Sequence, residues 1–160
     1  MYQDLQFVIG FTSIGMEISA TLQDDAEPDL CAQFWEMIAP GCRLFCYHPV
    51  STGDYFSACG RPDRHPAPTG TQARPLSRTP VLMSRLMPGE FLYSVGRNIS
   101  IAYGELITEP MPHRGGIIGV VGPADHNRLW YVGRSLWESQ FLRHELFCIT
   151  LRGGQGGNCG

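Results

Sequence analysis

Apolar side chains recur at alternate positions in LQFVIGF (5–11) and MEISATL (16–22), the period-two pattern of half-buried strands, and TSIG between them supplies a turn through Ile14 and Gly15. The spacing predicts an opening hairpin. In DDAEPDLCAQFWEMIAPG (24–41) the period changes: Leu30, Phe34 and Met37 share one helical face, acids favour the helix start, and Pro40-Gly41 stops it. CRLFCYH (42–48) and GDYFSACG (53–60) again read as strands, around the turn PVST. A second meander follows in VLMSRLM, EFLYSVG and NISIAYG, with Pro88-Gly89 turning the chain after the first of these. GGIIGVVG reads as a buried strand whose glycines allow close approach of a backbone or ligand. DHNRLWYVGRSLWESQF has Leu129, Val132 or Gly133, and Leu136 at helical spacing, with Asp125 or Asn127 as cap, and ELFCITL closes the series as a strand.

This order of elements predicts a mainly β fold: a closed barrel of about eight strands, which leaves no open sheet edge, with two covering α-helices. Residues 1–152 form one domain and GGQGGNCG supplies a flexible tail, 153–160. The proline-rich segment at 60–80 has almost no apolar side chains and reads as a long exposed loop, either a variable surface insertion or a lid.

Composition narrows the chemistry. The chain has 160 residues and a net charge of −3, and its arginines are scattered rather than gathered in a stripe, so no nucleic-acid footprint is present. It lacks a signal segment and any long apolar run, so a soluble cytoplasmic protein without a membrane partner is expected. Its six cysteines are expected to be reduced thiols. All 12 basic side chains are arginine, which excludes a lysine Schiff base or a pyridoxal phosphate anchor. An imine handled here must take its nitrogen from the substrate. No metal is expected, since Cys42 and Cys46 would stand about 13 Å apart on a strand.

PGEFLYSVGRNISIAYGE and GRSLWE, with FCYHPVSTGDYF, resemble motifs of a bacterial family of cyclophilin-like proteins, mostly uncharacterised and related to cucumopine synthase and to bacterial Pictet-Spengler enzymes. The chain departs from that family in HRGGIIGVVG, where a Gly-Asn-His stretch is usual, and in the proline-rich segment. The resemblance implies a cyclophilin-like barrel and a cofactor-independent cyclisation. In that chemistry a substrate amine condenses with an aldehyde or keto acid, an electron-rich ring attacks the iminium carbon, and a base takes the ring proton. A Pictet-Spengler cyclase making a tetrahydro-β-carboline from a tryptophan-like amine is the implied activity. Opine-type cyclisation of histidine with a keto acid, or a non-catalytic small-molecule binding barrel, are the alternatives.

Such a reaction needs a proton acceptor, a donor that assists loss of water, and aromatic walls. Tyr103 and Glu105 lie two apart on a predicted strand, hence on one face with Cα atoms about 6.5 Å apart, which suits Glu105 as general base and Tyr103 as donor or ring contact. His113, ahead of the glycine-rich strand, titrates in the range needed to shuttle the proton of dehydration. Arg97, in a turn, suits a substrate carboxylate. Phe91 and Tyr93 alternate on one strand toward the same interior, and His48 and Asp54 match positions of the resembled family. These five are the substrate-binding candidates. A barrel with a flat exposed strand is suited to a homodimer, although no residue requires one.

Overall fold

The computed structural model describes residues 5–50, 53–59, 69–71, 73–94, 98–108 and 114–154. Nine strands form one sheet: β1 (Gln6–Phe11), β2 (Met16–Leu22), β3 (Cys42–Tyr47), β4 (Gly53–Cys59), β5 (Val81–Leu82), β6 (Glu90–Ser94), β7 (Ile99–Ile107), β8 (Arg114–Val121) and β9 (Phe147–Gly153). Their order is β2-β1-β9-β3-β4-β7-β6-β8-β5, and β2 also pairs with β8. That last pairing, with Ala20 opposite Val121, closes eight strands into a ring and leaves the two-residue β5 as an appendage on β8. All the pairings are antiparallel. The expected closed barrel with two helices is therefore the observed architecture.

Alternation explains the core. Phe7, Ile9 and Phe11 of β1, Ile18, Ala20 and Leu22 of β2, and Ile99, Ile101 and Tyr103 of β7 face one side, and all belong to a single buried cluster inside the ring. Helix α1 (Pro28–Ile38) adds Leu30, Phe34 and Ile38 to it, and Phe34 meets Phe7 edge to face at 4.9 Å. Helix α2 (His126–Glu138) adds Leu129, Val132 and Leu136 from another direction. Among the described residues no helix is long and apolar enough to cross a membrane.

Two expectations need correction here. VLMSRLM is not a full strand: after Val81 and Leu82 the chain winds into a 3-10 turn at Met83–Arg85. Met83 and Leu86, three apart, then fold onto the outer face of the sheet, where they bury Tyr55, Leu92, Ala102 and Ile107 in a second cluster. The proline-rich segment, moreover, is not simply exposed. Residues 60–68 and 72 lie outside the described residues, but the rest is tied to the barrel.

The tie is Glu27, which is 1% exposed just before α1. Its Oε1 accepts from the Ser77 hydroxyl (2.6 Å), the Thr79 amide (2.9 Å) and the Thr79 hydroxyl (2.8 Å), and its Oε2 from the Arg78 amide (2.8 Å). Burial alone would raise the Glu27 pKa, but these bonds outweigh it and hold the carboxyl below its ordinary value. Earlier in the same segment, the Thr69 hydroxyl donates to the Ser94 carbonyl at the end of β6 (2.8 Å). At the other terminus β9 runs through Gly153, and the Gly154 amide donates to Gln6 O (2.8 Å), so pairing continues into the expected tail.

Candidate functional site

The site is built around a break in the β4/β7 ladder. Gly53 opposes Ile107 but Tyr55 opposes Ala102, so an advance of two residues on β4 matches five on β7. The surplus makes a large bulge at residues 103–106. Gly53 permits it with φ +113, a region that strains any residue with a side chain, and a Cβ there would strike the Leu106 carbonyl. Asp54, at the centre of the break, accepts the Leu106 amide on Oδ2 at 3.2 Å.

The bulge corrects the expectation that Tyr103 and Glu105 share a face. Tyr103 is 3% exposed in the barrel cluster, whereas Glu105 is exposed, because alternation does not carry through residues 103–106. Beyond the bulge the phase is inverted, and odd-numbered Ile107 joins the outer cluster.

Tyr103 instead meets His48, 55 residues earlier, with its hydroxyl 2.6 Å from Nε2. His48 follows the last residue of β3, is 6% exposed, and is gripped by Gln140 from the π-helical turn Ser139–Arg143. The Gln140 Oε1 accepts the His48 amide and its Nε2 donates to the His48 carbonyl, both at 2.8 Å. The imidazole Nδ1 lies 2.7 Å from the Pro49 carbonyl. A carbonyl only accepts, so Nδ1 carries the proton. Burial lowers the His48 pKa, and Arg134 lowers it further, against opposing effects of the Pro49 carbonyl and Asp54. The ring is thereby kept neutral, and Nε2 is left as the acceptor of the Tyr103 hydroxyl.

Burial pushes the Tyr103 phenol up to about 12, with Asp54 adding to the rise and Arg134 opposing it. Neutral tyrosine, neutral histidine and a fixed tautomer make a short path along which one proton can move. Tyr103's ring lies nearly parallel to Phe56, with centroids 6.3 Å apart, and edge-on to Trp130 at 5.3 Å. Helix α2 can come this close because Gly133 has no Cβ; one there would collide with the Tyr103 ring. Gly104 plays the same part on the strand, since a Cβ would fall 2.7 Å from the Trp130 ring.

Of the residues singled out in the sequence, the structure brings together Tyr103, His48 and Asp54. Phe91 and Tyr93 face the same interior but are 0% and 1% exposed, packed edge to face against Phe7 and Phe34 respectively. Both side chains pack within the buried cluster inside the ring. Arg97 and His113 lie outside the described residues. Sequence reasoning missed Gln140, Trp130 and Arg134. A helical projection of α2 carries a signal for the last two, since Trp130, Arg134 and Trp137 form a stripe opposite Leu129, Val132 and Leu136. The five described cysteines are free thiols, and among the described residues no cluster of histidine, cysteine or acidic side chains is able to hold a metal ion.

Fold and site together define a closed antiparallel barrel with a buried histidine-tyrosine pair beneath an aromatic stripe of its second helix. No family model matches the chain, and no curated protein matches its sequence. Among solved structures, the chain is similar to McbB, solved in complex with tryptophan, with a TM-score of 0.77 and 18% identity over 96% of this chain. It spans 46% of that protein's chain, just under half. It is also similar, with a TM-score of 0.56 and 10% identity, to the hypothetical protein AF2241 from Archaeoglobus fulgidus, covering 94% of this chain and 95% of that one. At these identities the likeness shows a shared fold.

Proposed function

We propose that the protein is a cofactor-independent Pictet-Spengler cyclase that condenses a tryptophan-like amine with an aldehyde or keto acid to a tetrahydro-β-carboline. The observation that carries the reading is the 2.6 Å contact between Tyr103 and neutral His48, set edge-on to the half-exposed Trp130. Two further findings support it: the fold is shared with a protein solved with tryptophan bound, and the chain has no lysine with which to form an imine of its own.

The amine nitrogen adds to the carbonyl, water leaves with one proton supplied, and the indole carbon closes on the iminium. Loss of the ring proton then restores aromaticity. In this reading Tyr103 takes that proton while passing its own to His48 Nε2, and the imidazolium formed is stabilised by the Pro49 carbonyl and by Asp54. His48 replaces the exposed Glu105 as the final acceptor, since its free nitrogen lies inside the enclosure. Arg97 and His113 keep their proposed roles of binding a carboxylate and shuttling the dehydration proton.

The test is incubation with tryptophan and an aldehyde, followed by chiral mass-spectrometric analysis of the product. A single enantiomer formed faster than in buffer is expected. Racemic product at the buffer rate refutes the cyclase. A His48→Gln variant with full rate beside an inactive Glu105→Gln variant returns the base to Glu105.

A further inference from the structure

His48 stands where β3 has just ended and the strand beside it has not yet begun. Cys46 opposes Phe147, the first residue of β9, so the same antiparallel register carried two residues further would set His48 opposite Glu145. The Glu145 amide is committed elsewhere: it donates to the Ser139 carbonyl (2.8 Å) and closes the π-helical turn Ser139–Arg143. Gln140 supplies the missing partner from its side chain. Its Oε1 accepts the His48 amide and its Nε2 donates to the His48 carbonyl, both at 2.8 Å. Two facing residues of an antiparallel pair exchange the same two bonds. The Gln140 amide, with a donor and an acceptor side by side, does for His48 what a residue of β9 would have done.

The amide reaches this place because of how α2 ends. Gln140 follows Leu136 by four residues, and so continues the stripe of Leu129, Val132 and Leu136 by which α2 meets the barrel. There the helix widens into a π-helical turn, a rare form found mostly at functional sites. The turn is braced on both sides. Arg143 donates to the Ser139 hydroxyl and pairs with Glu138 (3.7 Å) and Glu145 (3.2 Å). His144 ends the turn at φ 55, a left-handed conformation that costs a residue with a side chain. These features converge on the placement of one amide.

We propose that the π-helical turn serves to hold Gln140 as a one-residue substitute for a strand partner of His48, which makes Gln140 a positioning residue for proton transfer between Tyr103 and His48. Its catalytic half rests on the reading of that pair as the proton path of a cyclase; its structural half does not. The imidazole is bonded at both nitrogens, to the Pro49 carbonyl (2.7 Å) and to the Tyr103 hydroxyl (2.6 Å), and these bonds set the plane of the ring. Gln140 fixes the backbone from which the ring projects. Once that backbone is released, the Pro49 contact is local and travels with it, whereas the contact to Tyr103, 55 residues away, is broken first.

Two variants of the full chain test it. Gln140→Met removes both bonds while nearly keeping the length of the side chain; Gln140→Glu keeps the acceptor for the His48 amide and loses the donor to its carbonyl. Two-bond proton–nitrogen correlation spectra, with His48 assigned by its loss in His48→Gln, should show a single Nδ1–H tautomer in the unaltered protein and an averaged mixture of tautomers in Gln140→Met. Hydrogen exchange of the His48 amide should quicken at least about tenfold in Gln140→Met. With tryptophan and an aldehyde as substrates, kcat should fall ~10–100-fold in Gln140→Met with KM little changed, and Gln140→Glu should fall between the two. A circular dichroism spectrum like that of the unaltered chain shows an intact fold, and Gln140→Glu carries the comparison if Gln140→Met misfolds. The same tautomer and the same exchange rate in all three chains overturn the inference, as does an undiminished kcat beside an altered tautomer. An unaltered chain that forms no product, yet whose His48 tautomer depends on residue 140, refutes the cyclase and upholds the positioning of His48.

Discussion

Replacing Tyr103 by Phe removes one oxygen and leaves the ring in its contacts with Phe56, Trp130 and Gly133. Packing is conserved, so the effect isolates the hydroxyl. A net hydrogen bond of this kind is worth about 1 kcal/mol, and an acceptor left unsatisfied in the interior costs a further ~1–3 kcal/mol. His48 Nε2 is such an acceptor, on a side chain 6% exposed. The lower end applies if a water reaches the vacated space, so a loss of about 2 kcal/mol is expected. For a chain of this length that lowers the midpoint of thermal unfolding by about 4–8 °C. Urea unfolding at pH 7.5 provides the free energy, and a double-mutant cycle with His48→Gln should return a coupling of about 1 kcal/mol. Catalysis should suffer more than folding, with cyclisation slower by ~10²–10⁴ if the pair moves the proton. Unaltered stability together with zero coupling refutes an oriented bond between the two side chains. Loss of stability with an undiminished rate refutes the catalytic use of it.

Glu27→Gln should loosen the tie between α1 and residues 77–79. An amide offers one acceptor where four donors converge on two oxygens, and its own N–H₂ then faces a donor, so a loss of about 2–4 kcal/mol is expected in urea unfolding; unchanged stability would show the strap to be idle. Gly133→Ala should drive a Cβ into the Tyr103 ring, costing about 1–3 kcal/mol and weakening tryptophan binding, and a variant that melts at the unaltered temperature would contradict the close approach. Stability should also fall with pH in two stages. His48 has its pKa lowered from 6.5 by burial, so the unfolded chain binds a proton that the folded chain refuses, and stability complete above that value is lost as pH falls toward the folded one. Glu27, lowered from 4.5, adds a second loss below that pH, and the upper stage should disappear in His48→Gln while the lower remains.

Periodicity along the chain located β1, β2, β3, β4, β6, β7, β8 and β9 and both helices, whereas closure of the ring is decided by the pairing of β2 with β8. Alternation and helical spacing are local properties, set by the direction of each Cβ, and they need no knowledge of what lies opposite. Where a second segment takes over, local pattern fails. VLMSRLM has the composition of a strand, but Met83 and Leu86 turn instead to cover the outer cluster, and the Pro-rich segment is anchored by Glu27, some 50 residues away. The site shows the same division. Tyr103, His48 and Asp54 were legible as chemistry-bearing side chains, whereas their meeting depends on the β4/β7 register and on Gln140, contributed from 92 residues further along the chain. Glu105 was placed on the face of Tyr103 because unbroken alternation puts it there. Three extra residues between Ala102 and Ile107, paired against a two-residue step on β4, turn it to solvent, and only the partner strand contains that information.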